Sequence, residues 1–372
     1  MGRPSDIIVV GAGIVGCAIA HELARRGASV EIVDSRPVGM GATQASAGVL
    51  APYIEAPEGN PLLDLTVRSL ALFDAFMERV SAESGVPVLY RRTGTLDIAV
   101  NDQEMQALRA TADLLARRDL PAVLMDAQAV RSEEPQLADG AIGGLLIESH
   151  GFVAAGDLTR ALGAAARRHG AQVVEGSRVR RIALRDGDMV VETDRGRLTG
   201  NAVVLAAGSW SGEIAIEGVS ATVPVRPVRG QLLHLGWSGT PLRRVTWSGR
   251  CYLVPWEDGT LLVGATVEEA GFDERATVEG VRGLLDAACA IVPRARTAGF
   301  TSARVGLRPA TRDDLPVIGA SAVVPRLMYA TGHYRNGVLL APWTAQRVAD
   351  AMLHNRIEPL LAPVSPPSLW VE

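Results

Sequence analysis

At 372 residues the chain is long for a single hydrophobic core, which predicts two domains. A hydrophobic fraction of 48% with no low-complexity segment describes a fully folded globular protein, and a net charge of −4 gives no reason to expect nucleic acid or an anionic membrane as partner. All 37 basic residues are arginines, which excludes a pyridoxal phosphate aldimine, a lysine Schiff base and a Walker A loop.

The chain opens with Ile7-Ile8-Val9-Val10, a β-branched run suited to a strand buried on both faces. A strand starting this early leaves no room for a signal peptide ahead of it, and no apolar run reaches membrane-spanning length, so a cytoplasmic protein is expected. The run leads into Gly11-Ala12-Gly13-Ile14-Val15-Gly16, which matches G-x-G-x-x-G. In that pattern Gly11 permits a tight turn, Gly13 lets backbone approach a pyrophosphate, and Gly16 lets helix pack on strand. A helix over 14–26 follows, apolar along Val15, Ile19 and Leu23 and stopped by Gly27; a strand over 29–33 then ends in Asp34. An acid there accepts hydrogen bonds from a ribose hydroxyl. The order of strand, glycines, helix, strand and acid predicts dinucleotide binding but does not separate FAD from NAD.

Residues 41–50 are small and almost uncharged, which lets backbone amides reach phosphates and a ring edge. One helix is expected over 62–84, with Leu70, Phe73, Met77 and Val80 on its buried face and Gly85 as its stop. Residues 88–150 mix short strands with a charged helix over 102–118, as a separate layer would. Asp157 is expected to cap a helix running to His169. A strand over 172–175 leads into a meander turning at Asp186-Gly187 and Arg195-Gly196, which returns as a buried parallel strand ending in Ala206-Ala207-Gly208-Ser209-Trp210. Strand-like runs between 223 and 267 suggest an antiparallel sheet that carries the substrate, followed by a helix over 277–290. The chain then regains nucleotide-fold character at 306–309 and 315–319. A final strand over 327–330 enters Gly332-His333-Tyr334-Arg335-Asn336-Gly337-Val338, with a last helix over 344–354. A phosphate-cradling loop at one end and this Gly-bracketed turn at the other point to one cofactor site built from both, and to FAD more than NAD. Cys17, Cys251 and Cys289 have neither metal nor disulfide spacing, and the six histidines have no ligand spacing, so no metal site is expected.

Together the glycine loop, residues 41–50, the Ala206–Trp210 strand end, Gly306-Leu307-Arg308-Pro309 and residues 332–342 resemble the D-amino-acid-oxidase superfamily of FAD enzymes over nearly the whole chain. Within it the chain is most similar to the glycine-oxidase branch, which serves thiazole biosynthesis. The resemblance implies an α/β fold (α+β overall), with a Rossmann-type FAD-binding domain over 1–87, 151–220 and 300–365. A mainly antiparallel substrate domain would take 88–150 and 221–299, so that both are discontinuous. It further implies noncovalent FAD, a small amino acid and dioxygen as substrates, and a homo-oligomer. By position Arg308 resembles the arginine that clamps the substrate carboxylate, and Tyr252 the tyrosine that touches it. Tyr334, Arg335, Asn336, Gly337, Val338 and Leu339, with His333, resemble the turn lining the flavin. The remaining FAD contacts it implies are Gly11, Gly13, Ile14, Val15, Gly16, Asp34, Ser35, Thr43, Ala45, Ser46, Gly48, Val174, Ala206, Ala207, Gly208 and Trp210. Val49, Arg250 and Val267 fall where the family's pocket varies, and Arg250 implies a more acidic or larger substrate. The alternatives are a D-amino-acid dehydrogenase that passes electrons to a quinone or a partner protein in place of dioxygen, and a flavin-binding subunit of a larger amine-oxidising complex.

Overall fold

A computed structural model describes residues 5–55, 60–220 and 222–366. The buried run at the start of the chain forms the strand Ser5–Val10, the axis of a sheet with nine strands among the described residues. Its parallel part runs in the order Gln172–Val174, Val30–Val33, Ser5–Val10, Gly196–Leu205 and Leu327–Thr331. The strand Gly196–Leu205 serves two pairings. Its first half closes the meander against Asp188–Thr193, and its second half runs parallel between the first strand and the last. Asp186 and Gly187 both have positive φ, as the primed two-residue turn of a hairpin requires. On one face the helix Ile14–Arg25 lies between Ala155–Arg168 and Gly337–His354, sharing a core that includes Ile19, Leu23, Leu162 and Val348.

The second sheet has eight strands among the described residues, in the order Gly299–Ala310, Arg226–Gly236, Thr260–Gly264, Tyr252–Pro255, Val245–Trp247, Thr95–Ala99, Gly143–Ile147 and Val123–Asp126. All neighbours are antiparallel except Val245–Trp247 and Thr95–Ala99. The helix Val278–Ile291 covers it through Leu284, Ala288 and Ile291. Gly306-Leu307-Arg308-Pro309 belongs here, paired along the whole of Arg226–Gly236, and not with the nucleotide-side sheet where the sequence put it. The strand is one twelve-residue ribbon paired with Arg226–Gly236, and it touches the nucleotide side through the Leu307 carbonyl, which accepts from Ser209, and the Pro309 carbonyl, which accepts from the Tyr334 amide.

Three local expectations also change. The helix expected over 62–84 is two, Pro61–Ala71 and Phe73–Ser84, meeting at Leu72. Neither Gly nor Pro marks the join, and the Leu72 carbonyl still accepts from the Phe76 amide, so the apolar pattern runs on through the bend. The next helix, Ala155–Arg168, starts ahead of Asp157; Ala154 is its N-cap and Asp157 sits in the first turn, paired with Arg160. The last helix starts at Gly337, not Thr344, and carries Pro342 inside it.

Candidate active site

The carboxyl ends of the parallel strands open on one large cavity, of about 1800 Å³ including its solvent-facing part, at the place where an open α/β sheet binds its ligand. Gly11, with φ of +111°, forms the floor: a Cβ there would lie 2.3 Å from the Ala206 carbonyl oxygen. A Cβ on Gly16 would lie 1.9 Å from the Gly11 carbonyl oxygen, so this glycine is needed for helix-to-strand contact and does not itself line the cavity. The N-cap residue Gly13 offers no side chain to the helix start, and the first turn contains no acid. The Ile14 amide instead donates to the Thr43 hydroxyl, 3.2 Å away, from the small-residue segment. That segment is small because it is wedged: a Cβ on Gly306 would lie 2.9 Å from the Ala45 methyl.

Asp34 accepts from the Ala12 amide at 2.6 Å and the Arg36 amide at 2.8 Å; burial nonetheless raises its pKa above the ordinary carboxylate range. The Arg36 guanidinium lies 4.4 Å from the Trp210 ring centroid and forms a bidentate pair with Glu274, in the segment joining Thr260–Gly264 to Val278–Ile291. Trp210 also meets Phe272 of that segment. The nucleotide side of the cavity is therefore closed by residues of both sheets. An uncapped helix start, an acid on the second strand and a floor of glycines fit a dinucleotide, with the pyrophosphate at the helix amides.

At the other end Arg308 donates from Nη1 to the Thr266 carbonyl at 2.9 Å, and its guanidinium lies flat over Gly230. A Cβ at Gly230 would come within 2.4 Å of the Arg308 Cζ. The Tyr252 ring is laid over Gly264 in the same way, and stacks obliquely on Trp247 at 4.8 Å between centroids. Arg308, Tyr252, Trp247 and Val49 line the same cavity as the glycine floor. The first turn of Gly337–His354 lines it too, again without a side-chain cap. His333 is buried and bonded to the Thr344 hydroxyl; burial lowers its pKa to about 3, so it remains neutral at ordinary pH.

The cavity lining includes Gly11, Gly13, Ile14, Val15, Asp34, Ser35, Thr43, Ala45, Ser46, Gly48, Val49, the strand end from Ala206 to Trp210, and His333 through Leu339. Besides Gly16, three expected contacts lie elsewhere. Val174 faces away, its carbonyl holding the Asp34 amide at 3.0 Å, and Ser177, Arg178 and Val179 line the cavity in its place. Val267 is 55% exposed. Arg250 is exposed and borders a separate hollow beside the helix Val278–Ile291, near Thr266 and Glu268. Sequence reasoning missed Trp247, Gly230 and Gly264. A glycine inside an apolar strand was the available signal for the last two, since such glycines mark close approach of another group.

A family model described as FAD dependent oxidoreductase matches residues 6–351. The glycine oxidase of Geobacillus kaustophilus is 33% identical over 363 residues, covering 97% of this chain and 96% of that one. The crystal structure of that organism's glycine oxidase superposes with a TM-score of 0.94 over 99% of both chains. The bifunctional protein ThiO/ThiG of Nostoc sp. is 33% identical over 96% of this chain, which spans about half (54%) of that protein's length. The iminodiacetate oxidase of Chelativorans sp. BNC1 superposes with a TM-score of 0.88 at 26% identity, covering 97% of this chain and 98% of that one.

Proposed function

The chain belongs to the family of FAD-dependent oxidoreductases that contains the glycine oxidases, and from that premise we propose that it oxidises a small amino acid at Cα. Glycine, sarcosine and compact D-amino acids are the substrates this reading favours, with noncovalent FAD as cofactor. The glycine loop, Asp34 and residues 333–339 would hold FAD, which would supply the two-electron acceptor for the Cα hydride, with dioxygen as the final acceptor reduced to hydrogen peroxide. The observation that carries the reading is the Arg308 guanidinium spread over Gly230, facing the cavity that also holds the glycine floor.

The protein's contribution is positioning. Arg308 offers a planar fork to the substrate carboxylate, and the Tyr252 hydroxyl reaches the same group. The carboxylate held between them orients the Cα–H towards the first turn of Gly337–His354. Trp247 and Val49 limit the room left for a side chain. The amine binds neutral, so no base is required; the acids among the described lining residues are Asp34 and Glu213. Water then hydrolyses the imino acid to the oxo acid and ammonia, or to the amine from an N-methyl substrate. The uncapped amides at Gly337, Val338 and Leu339 favour negative charge in the cavity beside them.

Among the described residues no helix is long and apolar enough to cross a membrane. A cytoplasmic homo-oligomer serving thiazole biosynthesis completes the reading, and light scattering tests the assembly. The primary experiment is anaerobic addition of glycine, sarcosine, D-alanine and D-proline to the yellow protein. Bleaching by one of them, with peroxide on readmitting air, is expected. Bleaching without peroxide would replace dioxygen by a quinone or protein acceptor, and no bleaching by any would remove the proposed substrate class.

A further inference from the structure

Away from the cavity, three helices bring two imidazoles and a carboxylate to one point. His21 lies on Ile14–Arg25, Glu83 on Phe73–Ser84, and His169 is the C-cap of Ala155–Arg168. Both Nε2 atoms approach the same Glu83 oxygen, Oε2: that of His169 from 3.0 Å, that of His21 closer still. One ligand atom from each residue lies within 4.8 Å of the other two. None of the three lines the cavity. Their separations of 62 and 86 residues leave no ligand spacing to read in the sequence.

We propose that His21, Glu83 and His169 form a zinc site that fastens together the three helices on this face of the nucleotide-side sheet. Two imidazoles and a carboxylate, with a fourth position left to water, are a common zinc ligand set. Bonds of about 2.0–2.1 Å in a tetrahedron put neighbouring ligand atoms about 3.3 Å apart, close to the 3.0 Å between His169 Nε2 and Glu83 Oε2, and all three ligand atoms already lie within 4.8 Å of one another. The site has a closed back and an open front: the His21 side chain is 1% exposed, whereas Glu83 and His169 are 26% and 32% exposed. A hydrated ion can therefore enter beside His169 and keep a water.

The surrounding charge allows this. Zinc would take the place of the protons that now lie between each Nε2 and Glu83 Oε2. Arg168 lies close, its Nη1 given to the Glu83 carbonyl at 2.7 Å. Glu22, next to His21, is already paired with Arg25 and Arg26. The helix that would be pinned begins at the glycine floor, with His21 two turns in, so zinc here would brace the cofactor's helix and take no part in the chemistry.

The test is zinc titration of the untagged, FAD-loaded chain against a competing chelator dye, with thermal melting in parallel. One equivalent of zinc is expected, raising the melting temperature. In Glu83→Gln and His169→Ala the affinity should fall at least tenfold and the thermal shift should vanish. Zinc K-edge absorption of the loaded wild type should show imidazole and oxygen ligands without sulfur. No binding, binding unaffected by either variant, or sulfur in the ligand shell would each overturn the site.

Discussion

Arg308 and Tyr252 each rest on a residue that has no side chain to displace them, Gly230 and Gly264. The proposed clamp would therefore be set as much by these two strand glycines as by Arg308 and Tyr252 themselves. Replacing Arg308 by Ala removes charge-assisted bonds of about 1.5–3 kcal/mol each and is expected to raise KM for amino acids about a hundredfold or more, read by steady-state kinetics. Near-normal KM in that variant would end its assignment. Gly230→Ala tests the support directly. Its new methyl meets the mobile end of Arg308 and not backbone, so the chain should fold and melt almost normally while KM rises towards that of Arg308→Ala. An unchanged KM would mean that the guanidinium does not work from this position. At this scale the sequence was legible as to placement where a motif carried the residue, since Arg308 and the glycine loop both line the cavity. It was illegible where partner choice depends on side-chain direction: Val174 supports Asp34 through its carbonyl, and Val267 faces solvent.

The last helix carries an answer to its own defect. Pro342 cannot donate to the Val338 carbonyl, and the ladder opens one step further on. Ser69 of Pro61–Ala71 fills the gap: its hydroxyl donates to the Leu339 carbonyl at 2.6 Å and accepts from the Trp343 amide at 3.4 Å. Proline is why sequence reasoning began this helix at Thr344; only a hydroxyl some 270 residues away lets it begin at Gly337, against the cavity. Ser69→Ala leaves a fully buried carbonyl with no hydroxyl to bond, and is expected to destabilise by about 1–3 kcal/mol in chemical denaturation. A change under about 0.5 kcal/mol would show that the helix closes without it. The elements that periodicity and caps dictate, such as Ile14–Arg25, Asp102–Arg117 and the Asp186-Gly187 hairpin, agreed with expectation within a residue or so. The bend at Leu72 escaped because its apolar spacing continues unbroken.

Across the whole molecule several histidines are buried as neutral rings. Burial lowers His150 and His333 to about 3 and His234 to about 4. All three folded values lie below the unfolded value near 6.5, so the unfolded chain binds more protons in that interval. Their stabilising effect is complete above about pH 6.5 and is lost as pH falls towards 4 and then 3. The melting temperature is expected to drop steeply between pH 6.5 and 4, and His150→Asn should flatten that slope; equal slopes would show that other groups govern acid unfolding. At this scale the two-sheet plan and the convergence of both chain ends were legible. The ownership of Gly299–Ala310 was not, since its motif describes a ligand contact and not a strand partner.

The central pairing has a temporal consequence. The strand Gly196–Leu205 has Ser5–Val10 on one side and Leu327–Thr331 on the other, and the cavity takes lining residues as late as Leu339. A nascent chain that has not yet extended past Leu339 cannot complete this pocket, however much of its earlier sheet has condensed. Cofactor capture is thus deferred until the residues up to Leu339 have been made, and yellow colour becomes a certificate that the chain has reached at least that far. A chain cut after Arg326 should stay colourless with FAD in excess, even if circular dichroism shows helices and strands already present.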